Sequence, residues 1–332
     1  MIQRYANTLE RPRASQARHR GAVDCAEAPR RQPVLDAVIV GGGPAGLSAA
    51  LVLGRARKRV LILDTGRPAN AASAHPIGGL LSQADVSPAE LRRTGRDQLT
   101  ELPTVEVRDG AVMDAVPTSD GLEIRLDDGS AVTRSVVLAH GLRYDPPPVP
   151  GIKGLWGQSV FHCPFCDGWE VRDRPLAFHG NGPGAARSAL VLAGWSNDVV
   201  LCTDGPAQLD GEREVLAAAG VRIREEPIRE LIGAEGQLDR IEFAAGPAEQ
   251  RAALFVRTRR EQPNALAEAL GCRLSDGGTI ETDIDGRTGV PGIYAAGDAA
   301  TEHSRSVANA VGFGSRVAYA LTLDQVSLGS IA

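Results

Sequence analysis

Val34-Leu35-Asp36-Ala37-Val38-Ile39-Val40 runs directly into Gly41-Gly42-Gly43-Pro44-Ala45-Gly46, and this stretch decides the fold. The first seven residues are mostly apolar and read as a buried strand. Gly41, Gly43 and Gly46 then fill the G-x-G-x-x-G spacing. The first permits the tight turn, the second lets backbone approach a pyrophosphate, and the third allows close helix–strand packing. Ser48 to Leu53 continues as helix, and Arg59 to Asp64 is a second strand ending in an acid 23 residues beyond Gly41. Asp64 is placed to accept hydrogen bonds from an adenosine ribose, and the helix N-terminus to face phosphates.

Further along, residues 88–101 read as helix and 105–138 as short strands, with turns at Ser119-Asp120-Gly121 and Asp127-Asp128-Gly129. Val136 to Ala139 closes this unit at His140-Gly141. Pro146-Pro147-Pro148-Val149-Pro150-Gly151 reads as a stiff connector. The plan then repeats: a strand over 176–179, the turn Gly180-Asn181-Gly182-Pro183-Gly184-Ala185, a helix to about Ala193, and a strand from Val199 to Cys202. Gly180, Gly182 and Ala185 form the G-x-G-x-x-A variant, and Asp204 lies 24 residues past Gly180. If a nicotinamide cofactor binds there, an acid at that point favours NADH over NADPH; alternatively the turn only stabilises the fold. Residues 279–300 return to strand and turn, and a last helix is expected from about Val307 to Leu323. The fold class is therefore α/β, with two Rossmann-like, doubly wound, three-layer nucleotide-binding domains, the second inserted in the first. The expected boundaries are 34–148 with 275–325 for the first domain and 152–274 for the second.

Bulk composition narrows the function. The chain has 332 residues, 43% hydrophobic and 23% charged, which suits a soluble protein of two domains. A net charge of -5 and 4% aromatics argue against nucleic-acid binding. No apolar run reaches 18 residues, so no membrane helix is expected. Residues 1–33 hold seven arginines against three acids and read as a disordered arm or as translation from too early a start.

Five cysteines are too few for a disulfide-stapled secreted domain, which points to the cytoplasm, and one close pair stands out. Cys163-Pro164-Phe165-Cys166-Asp167-Gly168-Trp169-Glu170 lies just before the second glycine turn. Two vicinal thiols between two dinucleotide fingerprints point to electrons passing between a dithiol and a flavin. Asp167 would carry a proton for a leaving thiol if burial raises its pKa, and His162 would tune the thiols through its charge or shuttle the proton instead. Half a zinc site is the rival reading, but no second Cys-x-x-Cys or suitable Cys/His pair is present; two inert cysteines are another. Cys202 and Cys272 read as core residues. His140 reads either as a cofactor neighbour or as a structural residue, and His179 as packing.

Taken together, residues 34–325 resemble the low-molecular-weight thioredoxin reductase family of flavoproteins. The resemblance implies that Gly41, Gly43 and Gly46 hold the FAD phosphates, that Gly297-Asp298 holds its ribityl chain, and that Arg305 lies beside the flavin. It also implies a redox pair with Cys163 toward substrate, Cys166 toward flavin and Asp167 as acid, and a homodimer. Two departures follow. Thr203-Asp204-Gly205 stands where the family carries a basic phosphate clamp. Cys-Pro-Phe-Cys followed by Gly-Trp-Glu is more similar to the gliotoxin- and holomycin-type dithiol oxidases, although those have histidine where this chain has Asp167. The expected function is thus an FAD-dependent thiol–disulfide oxidoreductase, first a dithiol oxidase closing a disulfide in a small molecule with oxygen as acceptor. The alternative is an NADH- or NADPH-dependent reductase of thioredoxin or a small disulfide. A flavin-bearing redox sensor is the non-enzymatic reading.

Overall fold

The computed structural model describes residues 34–67, 73–83, 85–209, 211–302 and 304–329. The arm expected over 1–33 lies outside them.

Strand β1, Ala37–Val40, is wholly buried and pairs in parallel with β2, Val60–Asp64, on one side and with Val136–Leu138 on the other. β3, Val105–Asp109, extends the β2 edge, and Ile293–Ala295 extends the opposite one. Side chains alternate across a strand, so β1 feeds two cores. Ala37 and Ile39 pack with helix α1, Pro44–Arg55, and with the C-terminal helix, Val307–Gly329. Val38 and Val40 face the other way, onto a layer that includes Ala115, Ile124 and Leu126. The result is helix, parallel sheet and antiparallel sheet in three layers.

The segment 105–138 is more divided than its sequence suggests. Residues 105–109 join the parallel sheet, whereas Val112–Thr118, Gly121–Leu126 and Gly129–Thr133 form a separate antiparallel meander. The C-terminal helix also runs past the expected Leu323 to Gly329, because no breaker intervenes.

A second parallel sheet repeats the plan, in the order Arg222–Arg224, Val199–Cys202, Leu176–His179, Ala253–Val256 and Val160–Phe161. Helix Ala185–Leu192 covers one face, and the hairpin Ile228–Ala234 with Gln237–Phe243 the other. Arg143–Asp145 and Arg259–Glu261 pair as a two-stranded ribbon. Beyond the ribbon, Val149, Ile152 and Leu155 anchor the proline-rich connector in the second core.

In each sheet the strand order reverses beside the strand that feeds a glycine turn. Open α/β sheets bind ligands at such reversals, at the carboxyl ends of the strands. Among the described residues no helix is long and apolar enough to cross a membrane.

Candidate active site

The first glycine turn sits at the end of β1. Gly41 has φ +112°, and a Cβ there would lie 2.4 Å from the Ala139 carbonyl oxygen. At Gly46 a Cβ would fall 1.9 Å from the oxygen of Gly41, so the helix can dock on the turn only with glycine. Gly43 is the N-cap of α1 and is different: it has no side-chain cap, and a Cβ would meet nothing within 4 Å. Backbone N–H groups of the first turn of α1 are thus presented to open space, as a pyrophosphate requires. The Asp64 side chain lies beside Gly42 and is held by Arg92 Nη2 at 2.6 Å and Arg96 Nη1 at 3.5 Å. A ribose at Asp64 would therefore meet a carboxylate already oriented by α2, Pro88–Thr100. The two arginines one helical turn apart were the sequence signal for this.

The C-terminal motif meets the middle of the chain. Asp298 lies in the turn after Ile293–Ala295, next to Gly297, and Tyr144 Oη donates to its Oδ2 at 2.8 Å. Burial pushes the Asp298 carboxyl upward, while the tyrosine bond and Arg305 oppose this. Arg305 is itself pushed down by burial and by Arg260, and its Nε is buried without a hydrogen-bond partner among the described residues. These features fit FAD: an uncapped helix N-terminus, two carboxylates at strand ends, and a guanidinium nitrogen in want of an acceptor. His140 is half-buried and donates from Nε2 to Gln262 Oε1 at 2.8 Å, and desolvation lowers its pKa against the opposing influence of that bond. The Gln262 amide in turn donates to Gly278 and Ala299. This network anchors Nε2, while Nδ1 is buried with no hydrogen-bond partner among the described residues.

His162 requires a correction. Its ring lies 4.7 Å from that of Tyr144, which ties the segment before Cys163 to Asp298. Burial, with Arg260 and Arg305 nearby, pushes its pKa down to about 4. It is neutral at physiological pH, so it cannot tune the thiols through a positive charge.

Cys163 and Cys166 form a disulfide, with Cα atoms 5.3 Å apart. Cys163 caps the short helix Pro164–Asp167, and its carbonyl accepts from the N–H of Cys166 at 3.1 Å and of Asp167 at 3.2 Å. Proline at the first helical position suits this cap because it lacks an N–H. Cys163 is half-buried and Cys166 exposed. Asp167 is buried, and burial raises its pKa to about 6 against the lowering influence of His75. His75 Nδ1 lies 3.5 Å from Asp167 Oδ1, and Ser73 Oγ lies 3.5 Å from the same oxygen. Sequence reasoning missed both residues, which stand 92 and 94 positions before Asp167 with no motif around them. Phe165 and Trp169 flank the pair with 77% and 65% of their surface exposed.

Around the second glycine turn the polar groups serve one another. Asn181 Oδ1 accepts from the N–H of Gly182 and of Gln208, both at 2.9 Å, and its Nδ2 donates to the Pro206 carbonyl at 3.0 Å. Arg257 Nη1 donates to the Pro183 carbonyl at 2.7 Å. Helix Ala185–Leu192 begins after Gly184, which has φ +81°. Asp204 adopts φ +52°; its Oδ1 accepts from Ile228 N at 2.7 Å, and its Oδ2 lies 3.6 Å from His179 Nε2. The Asp204 carboxylate is thus paired with Ile228 and His179. Cys202 and Cys272 are free and buried, and burial pushes the Cys202 thiol up to about 12.

Two glycine turns at two sheet reversals, with a vicinal disulfide between them, define a flavin- and pyridine-nucleotide-linked disulfide oxidoreductase. The chain belongs to the pyridine nucleotide-disulphide oxidoreductase family, whose profile matches residues 35–314. This is a family of oxidoreductases that uses FAD and NAD(P)H, and the chain is thioredoxin reductase-like within it. It is 32% identical over 280 residues to thioredoxin reductase tcpT of Claviceps purpurea, covering 80% of this chain and 86% of that one. The solved structure of HlmI is 39% identical with a TM-score of 0.82, covering 89% of this chain and 93% of that one. An oxidoreductase from Agrobacterium tumefaciens is 33% identical with a TM-score of 0.82, covering 89% and 99%.

Proposed function

We propose that the protein is an FAD-dependent dithiol oxidase that closes a disulfide in a small-molecule dithiol, with oxygen as final acceptor. The supporting observation is the second glycine turn. The Gly182 amide that would face a nicotinamide dinucleotide already donates to Asn181, Arg257 straps the turn at Pro183, and Asp204 is committed to the Ile228 N–H. A dinucleotide at this turn would compete with these bonds.

In this reading a substrate thiol gives its proton to Asp167, and the thiolate attacks Sγ of Cys163. The S–S bond breaks with its electron pair on Cys166. The second substrate thiolate then attacks the substrate sulfur bound to Cys163, closing the product disulfide and releasing Cys163 as thiol or thiolate. Two electrons have passed to the pair. FAD, when bound, supplies the acceptor that reoxidises the pair and passes the electrons to oxygen, giving peroxide. Gly41, Gly43, Gly46, Asp64, Gly297, Asp298 and Arg305 are assigned to hold it. Residues 34–148 and 275–325 form its domain, an assignment supported by the pairing of Ile293–Ala295 with Val136–Leu138. The homodimeric setting follows the family resemblance, and a cytoplasmic one follows from cysteine usage, the buried free thiols of Cys202 and Cys272 suiting a reducing compartment.

The second reading reverses the flow, from NAD(P)H through FAD and the pair to thioredoxin or a small disulfide. It is favoured by the spacing retained at Gly180, Gly182 and Ala185 and by the relatives named thioredoxin reductase. Anaerobic stopped-flow absorbance of the flavoprotein against NADH, NADPH and a small dithiol separates the two. Rapid bleaching of the flavin by the dithiol, with oxygen uptake in air, supports the oxidase. Rapid bleaching by a nicotinamide cofactor alone overturns it.

A further inference from the structure

We propose that His75 is a positioning residue for thiol–disulfide exchange at the Cys163–Cys166 pair, holding Asp167 in the orientation and protonation state in which it receives a thiol proton. The inference rests on the pair being the redox centre, in either direction of electron flow.

Four observations converge on this residue. The Ala74 N–H donates to the Gly157 carbonyl at 2.8 Å, which fastens the His75 segment to the chain leading into the pair. The His75 ring lies 5.2 Å from the Phe161 ring, two residues before Cys163. These contacts bring Nδ1 within 3.5 Å of Asp167 Oδ1, and Nδ1 is buried with no hydrogen-bond partner among the described residues. Ser73, at the start of the same segment, brings its hydroxyl to the same oxygen. A histidine that merely filled space beside Phe161 would gain nothing from turning a buried nitrogen toward a buried carboxyl.

The charges around Asp167 define what the contact does. His75 and the Ser73 hydroxyl favour the carboxylate, while burial and the neighbouring Glu170 favour the acid. The disulfide itself carries no charge. Asp167 is thereby poised near neutrality, where a carboxylate can accept a proton from an incoming thiol and later return it. When the substrate S–H gives its proton to Asp167, the sulfur keeps the bonding pair and attacks the disulfide. The broken S–S bond leaves its electrons on the second cysteine. Asp167 takes the proton, and no oxidant or reductant beyond the dithiol and the pair takes part in this exchange.

The test measures exchange alone, in FAD-free protein with the pair oxidised. Dithiothreitol is mixed in anaerobically, and the pair thiols formed are trapped and counted across pH 5–9. Wild type should show a limb rising through about pH 6. His75→Ala should move that limb upward by about one pH unit, about fivefold slower exchange at pH 6, and converge with wild type near pH 9, where the dithiol ionises unaided. His75→Asn, which keeps a donor for Asp167, should restore much of the wild-type limb. Superimposable wild-type and His75→Ala profiles overturn the proposal. So does a drop by the same factor at every pH, the signature of a structural role, or no rescue by asparagine. Exchange is read without flavin, nicotinamide or oxygen, so failure of the oxidase reading leaves this result independent.

Discussion

Tyr144 donates its hydroxyl proton to Asp298 at 2.8 Å, joining two positions 154 residues apart. The bond links the ribbon between the two sheets to the C-terminal motif assigned to the FAD ribityl chain. Removing it leaves a buried carboxylate short of a donor, at a cost of about 1–3 kcal/mol. Tyr144→Phe should lower the thermal midpoint and loosen FAD retention, both followed by the rise in free flavin fluorescence on heating. An unchanged midpoint and unchanged flavin release would detach Tyr144 from this role.

The glycines of the first turn should divide by function. Gly46→Ala places a methyl 1.9 Å from the Gly41 oxygen and should cost more than about 3 kcal/mol, giving poorly folded protein. Gly43→Ala meets no protein atom, so the apoprotein should keep its thermal midpoint while FAD binds at least tenfold more weakly. Apoprotein melting combined with FAD titration checks both.

Asp167 should make stability fall as pH rises. Its folded pKa of about 6 exceeds the unfolded value near 4, so the native state binds more protons between the two. Unfolding free energy should drop by on the order of 2–3 kcal/mol from pH 4 to above pH 6 through this group alone. Asp167→Asn removes the dependence, so its advantage over wild type in thermal midpoint should grow from pH 5 to pH 7.5. A constant difference would place Asp167 in a more polar setting than the structure shows.

His162 contributes the opposite slope. A histidine pushed down to about 4 binds fewer protons in the native state than in the unfolded chain, so stability is present above about pH 6.5 and declines as pH falls toward 4. In NMR spectra its ring carbons should stay at neutral-imidazole shifts from pH 8 to pH 5. A titration midpoint near 6.5 would restore the charged role that the sequence suggested.

At the second turn, Asn181→Gly with Arg257→Ala removes four of the bonds that occupy it. If those bonds keep nicotinamide nucleotides out, the double variant should bind NADH at least tenfold more tightly than wild type by fluorescence titration. Equal affinity would show that this turn is not blocked by its own side chains.

The sequence by itself determined the fold class, and with it the positions of both glycine turns and of the vicinal thiols. These are local properties: strand and helix periods, the need for glycine at Gly41 and Gly46, and three-residue spacing between cysteines all act within a few neighbouring residues. Even there, the division of 105–138 between two sheets and the run of the last helix to Gly329 required the packed structure. Only the tertiary structure decided the surroundings of each functional group. It set His75 and Ser73 against Asp167, closed Tyr144 on Asp298, surrounded His162 with burial and two arginines, and turned Asp204 toward Ile228. Such contacts join residues far apart in the chain, and proton affinities depend on burial and neighbouring charge, neither of which a residue's own sequence context reveals.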